Sequence, residues 1–244
     1  MTRPAAKLYN IAIILLAFCG GVALEKTGTI AFLTDPSNYP ELMRLLFQHF
    51  YLVAVSMAIA TALGLFIGII LTRPKFKRYS GIVMYVVGLG QTIPSLAVLA
   101  LVMSFLGIGT KPAIFALTVY SILPIARNTL AGIRAVPVST LDAAKGMGMT
   151  STGILIQVEL PMAMKVILTG FRVALVINIG TAALAYLIGA GGMGDWIFSG
   201  INMMMTDKLL AGAIPVTLMA LLADFLVELL SAVLVSRGLR LSEE

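Results

Sequence analysis

The chain has 244 residues, of which 59% are hydrophobic and only 11% charged, with a formal net charge of +6. Soluble domains carry roughly a quarter charged residues, so this composition argues against a water-soluble fold. A single cysteine, Cys19, excludes an internal disulfide or a multi-cysteine metal site, and a single histidine, His49, excludes a His-rich one.

Six stretches lack Asp, Glu, Lys and Arg: 8–24, 45–72, 79–110, 112–126, 173–194 and 209–223. A spanning helix needs about 20 apolar residues to cover a hydrocarbon core of roughly 30 Å. The two short runs are extended by apolar sequence past Arg127 to Ile133 and past Asp224 to Val235. Helical spans are therefore expected at 8–24, 50–71, 80–106, 112–130, 164–190 and 208–235. A β-barrel would show segments of about ten residues alternating apolar and polar. Ile11 to Leu16 and Ile114 to Leu117 are instead apolar all round. The fold class is an all-α integral membrane protein with about six transmembrane helices.

The first span follows Arg3 and Lys7 and so imitates a secretory signal, and Leu16-Ala17-Phe18-Cys19 faintly resembles a lipoprotein cleavage site. Phe18 is too bulky for the small residue wanted there, so an uncleaved first helix is expected. In the second span Gly64 and Gly68 form a small-xxx-small pair suited to close helix packing. In the third, Pro94 breaks the helix just after Gln91 and Thr92 and frees backbone carbonyls at membrane depth. Such a break is tolerated where it is buried or lines a cavity, which makes Gln91, Thr92 and Pro94 candidates for a transport pathway.

Between Arg127 and Lys165 lies the one sizeable polar connection on its side of the membrane. Val136-Pro137-Val138-Ser139-Thr140 reads as a helix start with Ser139 or Thr140 as cap. Gly146 and Gly148 permit a sharp turn. Ser151 or Thr152 then caps a second short helix to Glu159, and Pro161 suits the first turn of the next span. The product is a helix-turn-helix elbow over residues 131–163.

In the fifth span Asn178 and Thr181 lie three residues apart on one face, positioned for the pathway or for bonding to another helix. Trp196 and Phe198 sit beside Asp195 after the Gly-rich turn that contains Gly192 and Gly194 and fit an aromatic belt at the outer interface. Asp224 and Glu228 stand one turn apart in the last helix, near the inner headgroups, where Arg172 or Arg237 could pair with them.

Alternating the connections across the membrane places all 17 Lys and Arg residues inside except Lys26, Arg44, Lys111 and Lys208. By the positive-inside rule both termini are expected in the cytoplasm. Cations clustered between apolar runs report membrane topology and not nucleic-acid binding. The expected organisation is 1–44 as N-terminal helix and outer loop, 45–237 as a transmembrane domain, and 238–244 as a cytoplasmic tail.

The elbow carries a recognisable pattern. Binding-protein-dependent ABC importer permeases have Glu-Ala-Ala, three residues, Gly, nine residues, Ile, one residue, then Leu-Pro. This chain resembles them at Asp142-Ala143-Ala144, Gly148, Val158 and Leu160-Pro161, with Asp for Glu and Val for Ile. Further segments look like the glycine betaine, choline and carnitine osmoprotectant permeases: Gln91 to Leu96, Gly107 to Gly109, Pro124, Gly191 to Gly194 and Gly212 to Pro215.

The resemblance implies an ABC importer permease (MetI-like) fold in the bacterial inner membrane, with the elbow as a coupling helix. It implies two ABC ATPase subunits as partners, an extracytoplasmic solute-binding protein, and a second permease subunit, identical or similar. ATP and Mg would bind the ATPases, with no cofactor or metal on this chain and no role as an enzyme. Gly192, Gly194, Trp196 and Phe198 would then belong to a short gate helix on the outer side. The sequence itself has no Gly-Lys dipeptide and so no phosphate-binding loop. A permease for another small solute such as methionine, or a secondary transporter working without ATP, are the alternatives.

Overall fold

The computed structural model describes residues 21–22 and 24–234, and within them all regular structure is helical. A short helix α1 (Thr29–Thr34) precedes the long helix α2 (Tyr39–Ile70). The third apolar run forms two helices, α3 (Ser80–Thr92) and α4 (Ser95–Leu106), and α5 (Thr110–Arg134) follows. The elbow comprises α6 (Val138–Gly146) and α7 (Ser151–Ile154), joined through a π-turn (Leu155–Glu159) to α8 (Leu160–Ala182). A 3-10 segment (Ala183–Ile188), helix α9 (Gly194–Asn202) and helix α10 (Thr206–Leu234) complete the chain.

Four of these stretches are long and apolar enough to cross a membrane: Pro36–Ile70, Thr110–Arg134, Ser151–Ile188 and Thr206–Leu234. The pair α3 and α4 makes a fifth if it is one span, but it is bent by 96°. The run expected at 80–106 is therefore not one straight helix. Pro94 cannot donate to the ladder and forces Ile93 out of the helical region, to φ −79° and ψ 131°, which ends α3. The predicted span at 8–24 lies almost wholly outside the described residues, as does Arg237.

The centre of the molecule is α5 held between α2 and α8. Small residues set the spacing, as they must where lipid tails offer no hydrophobic drive to bring helices together. A Cβ on Gly68 would lie 2.5 Å from Cβ of Thr129, and one on Gly170 would lie 2.7 Å from the Pro124 carbonyl oxygen. The Gly64 and Gly68 pair thus seats α2 directly on α5. Around this contact Leu52, Met57, Leu117, Ile125 and Ala174 are buried in one apolar cluster.

Local differences from the sequence expectations concern caps. Helix α6 begins at Val138 behind Pro137 with no side-chain cap, so Ser139 and Thr140 fall inside its first turn. Thr150, not Ser151 or Thr152, caps α7, its hydroxyl accepting from Gly153 N at 3.2 Å. The elbow helix does not stop before the membrane either: it runs through Pro161 into α8, at the cost of the π-turn. Pro161 has no N–H for the carbonyl of Gln157 and its ring crowds that carbonyl, so the helix widens in the preceding turn. Leu160 N accordingly donates to Leu155 O, five residues back.

Candidate functional site

The elbow is closed by Gly148. Its φ is +79°, Gly148 N donates to Lys145 O at 2.9 Å, and Met149 N donates to Ala144 O at 3.2 Å. This pair of bonds is a Schellman motif, with glycine at the left-handed position after the helix. A Cβ on Gly148 would meet nothing within 4 Å, so its requirement is one of backbone conformation and not of space. Of the remaining motif residues, Ala144 is 1% exposed and turns inward, while Asp142 and Ala143 point away from the body. Asp142 pairs with Lys145 at 2.9 Å, both largely in solvent, a bond worth little by itself. Leu160 is half-buried and Pro161 exposed.

Val138 and Met147 are 69% and 76% exposed on this polar projection. These two apolar side chains stand free at the tip of the elbow, and methionine is the more adaptable of the two in shape. Spacing alone did not single them out.

At the elbow's junction with the membrane body, Glu159 lies in the π-turn, almost fully buried, and accepts from Arg73. Arg73 also donates to Thr72 Oγ1 through Nε at 3.0 Å and Nη2 at 2.7 Å, and the Thr72 hydroxyl donates to Ile69 O at 2.6 Å. The guanidinium therefore ties the last turn of α2 to the elbow, with its charge at the negative end of that helix. The sequence reading counted Arg73 only as an inside cation.

At the broken span, Thr92 donates to Leu89 O at 2.8 Å within its own helix. Gln91 behaves otherwise: its Nε2 donates to Tyr120 O on α5 at 2.8 Å. That carbonyl is free because Pro124, four residues on, has no N–H to offer it. Tyr120 in turn donates its hydroxyl to Ile93 O, the carbonyl at the Pro94 break. The missing N–H of Pro124 frees the Tyr120 carbonyl and the extended turn before Pro94 frees that of Ile93, and in each case the opposite helix supplies the donor.

Asn178 is 1% exposed. Its Nδ2 lies 2.8 Å from Ser121 Oγ, 3.0 Å from Ser56 Oγ and 3.3 Å from Leu117 O, so α8 is bonded to both α2 and α5. Of the two roles open to it, interhelical bonding is the one its position fills. Thr181 bonds back to Ile177 O within its own helix at 2.7 Å.

At the opposite end of the bundle from the elbow, the Gly-rich turn is fastened to α2. Gly192 has φ +87° and donates its N–H to Gln48 Oε1 at 3.1 Å. His49 Nε2 lies 3.0 Å from Ile179 O, and as that oxygen can only accept, Nε2 carries the proton. Gly194 packs against the 3-10 segment, where a Cβ would overlap the Ala183 carbonyl at 1.9 Å. Trp196 is 0% exposed and meets the Phe32 ring edge-on at 5.2 Å, so it is a core residue and not part of an interfacial belt. Phe198 stacks on Tyr186 at 6.1 Å. On α10, Asp224 accepts from Arg172 in a two-point pair, with Glu228 at 3.3 Å from the same guanidinium. Arg172 is thus the partner of both acids.

Among the described residues no group of His, Cys, Asp and Glu is arranged to hold a metal ion.

Residues 63–237 match the family profile described as binding-protein-dependent transport system inner membrane component. The chain is 42% identical over 198 residues to a carnitine transport permease protein, OpuCB, of Listeria monocytogenes, covering 81% of this chain and 89% of that one. It is 44% identical over 216 residues to an osmoprotectant import permease protein, OsmY, of Salmonella typhimurium, covering 88% of each. A choline transport system permease protein, OpuBB, of Bacillus subtilis is 38% identical over 208 residues, 85% of this chain and 95% of that one. Among solved structures, a chain of the MetNI methionine ABC transporter superposes with a TM-score of 0.74 at 22% identity, over 83% of this chain and all of that one.

Proposed function

The chain belongs to the binding-protein-dependent transport system inner membrane components, and from that membership we propose that it conducts quaternary-ammonium osmoprotectants such as glycine betaine, choline or carnitine into the cell. It is a permease subunit of an ABC importer, it resides in the inner membrane as a multi-pass protein, and ATP is hydrolysed on a separate subunit. The solute class is supported by relatives named for carnitine, choline and osmoprotectants that match over most of this chain at 38–44% identity.

The observation that carries the mechanism is the elbow: a Gly148-closed turn that exposes Val138 and Met147 and buries Ala144, while Glu159 ties it to Arg73 at the end of α2. In the proposed mechanism Asp142, Ala143, Ala144 and Gly148 shape the surface that meets an ATPase, and Leu160 and Pro161 pass its displacement into α8. Two ATPase subunits closing on ATP move two such elbows, one on each of two permease subunits, identical or similar. The elbow end is cytoplasmic, as are both termini, and residues 45–237 form the permease domain.

An extracytoplasmic solute-binding protein selects the solute. Cation-π contacts in an aromatic cage there suit a quaternary ammonium. The pathway through the permease then needs little charge, and the Gln91, Thr92 and Pro94 break is its proposed lining, with the turn of Gly192 and Gly194 and helix α9 as the outer gate. Asn178 acts in this scheme by holding the helices that move.

Uptake of labelled glycine betaine by proteoliposomes containing the permease with its co-purified ATPase and binding protein tests the proposal. ATP-dependent accumulation, competed by choline or carnitine, is the expected result. Accumulation of methionine but of none of these three would reassign the solute.

A further inference from the structure

Helix α2 runs the depth of the bundle, its 32 residues spanning about 48 Å at 1.5 Å per residue. It is joined to the chain segment that begins at the elbow by polar links at three levels. At one end Arg73 pairs with Glu159 of the π-turn. Midway Ser56 bonds Asn178. At the other end His49 bonds Ile179 O and Gln48 holds Gly192 N. The Gln48 link fixes α2 to the Gly-rich turn, the His49 and Ser56 links fix it to α8, and the Arg73 link fixes it to the elbow.

We infer that the Arg73–Glu159 pair is a positioning strut that makes α2 move with the elbow, so that displacement of the elbow reaches the Gly192 turn along α2 as well as along α8. This rests on the elbow being the surface that meets the ATPase. Three observations carry it. Glu159 is nearly buried and sits in the one π-turn among the described residues, where the helix is least regular and a side force would otherwise bend it. Arg73 makes two bonds to Thr72, whose hydroxyl in turn bonds Ile69 O in the last turn of α2, so the guanidinium cannot follow Glu159 without pulling on the helix end. The pair joins positions 86 residues apart, at the inner end of a helix whose outer end already grips the glycine turn.

Removing one partner would leave a buried charge alone and endanger folding, whereas replacing both by apolar residues of similar volume generally leaves stability intact. The decisive variant is therefore Arg73→Met with Glu159→Leu, compared with Arg73→Lys, in proteoliposomes holding the permease, ATPase and binding protein. The readouts are unfolding temperature, ATPase co-purification, and glycine betaine transported per ATP hydrolysed. The double variant is expected to keep the first two at wild-type values and to lose about tenfold in solute per ATP, while Arg73→Lys keeps about half, a split that a merely structural pair would not produce. Wild-type coupling in the double variant overturns the strut. Gly148→Asp in the same vesicles separates the two readings: if it uncouples while the double variant does not, the elbow stands and only the strut falls; if neither uncouples, both fall.

Discussion

Gln91 and Tyr120 complete each other's helices: the Gln91 side chain donates to the Tyr120 carbonyl at 2.8 Å, and the Tyr120 hydroxyl donates to Ile93 O, the carbonyl beside Pro94. The two acceptors exist because of two prolines, Pro124 in α5 and Pro94 between α3 and α4. A bend of 96° within an apolar run is thereby held without leaving either acceptor bare.

Gln91→Ala should lower the unfolding temperature of the purified protein, since a partly buried acceptor stripped of its donor costs about 1 kcal/mol. Pro124→Ala restores a backbone N–H to Tyr120 O and should make Gln91→Ala close to neutral. A thermal-unfolding double-mutant cycle reads this directly, and additive losses would contradict the pairing of side chain and proline.

Gly148 offers a contrast between residues that tolerate the left-handed region and those that resist it. Gly148→Asn should be mild, whereas Gly148→Val should cost on the order of 1–2 kcal/mol in the elbow, as expected for a branched residue at positive φ. With open space around the position, the loss is local, so membrane insertion and expression should persist. Gly148→Asp keeps that conformation accessible and should likewise insert normally, yet it sets a negative charge on the exposed tip and should thereby uncouple ATP hydrolysis from uptake. Full uptake by that variant would remove the elbow from the mechanism.

Asn178→Leu deletes the bonds to Ser56, Ser121 and Leu117 O at once. Polar bonds between membrane helices average roughly 0.6 kcal/mol and reach about 1.7, so a destabilisation of about 1–2 kcal/mol is expected for the whole node. Most of it should already appear in a cycle between Asn178→Leu and Ser121→Ala, measured by unfolding in detergent. A variant as stable as wild type would show that the three helices do not need the node.

Arg172→Gln leaves Asp224 and Glu228 as like charges one turn apart on α10 without their shared cation. The purified variant should unfold at a lower temperature, and adding Asp224→Asn should recover part of the loss. No recovery would mean that the guanidinium is held by packing and not by the acids.

The elbow was legible in the sequence because its determinants are local. Asp142 to Pro161 lie within one short segment, and a glycine that must turn left-handed after a helix announces itself by identity. The Gly64 and Gly68 pair was readable for the same reason, since two small residues one turn apart always share a face. Trp196 was misread because an aromatic beside a glycine turn has the same local pattern at an interface as in a core, and only the position of Phe32 distinguishes the two. The partners of Tyr120 and Glu159 were not legible for another reason: each is ordinary in its own helix and acquires a role from a residue 29 or 86 positions away.

By itself the sequence determined that the chain is a bundle of apolar helices, where its apolar runs lie, that Pro94 interrupts one of them, and that one end bears the elbow. Hydrophobic length, prolines, glycines and the distribution of cations act through neighbouring residues and the lipid, and need no knowledge of the packing. Tertiary structure alone decided which polar groups meet inside the bundle, that is, which freed carbonyl receives Gln91, which carboxylate receives Arg73, and which helices Asn178 joins. Inside a membrane protein a polar group has chiefly other protein groups to bond, and which of them it meets is set by which helix faces pack together.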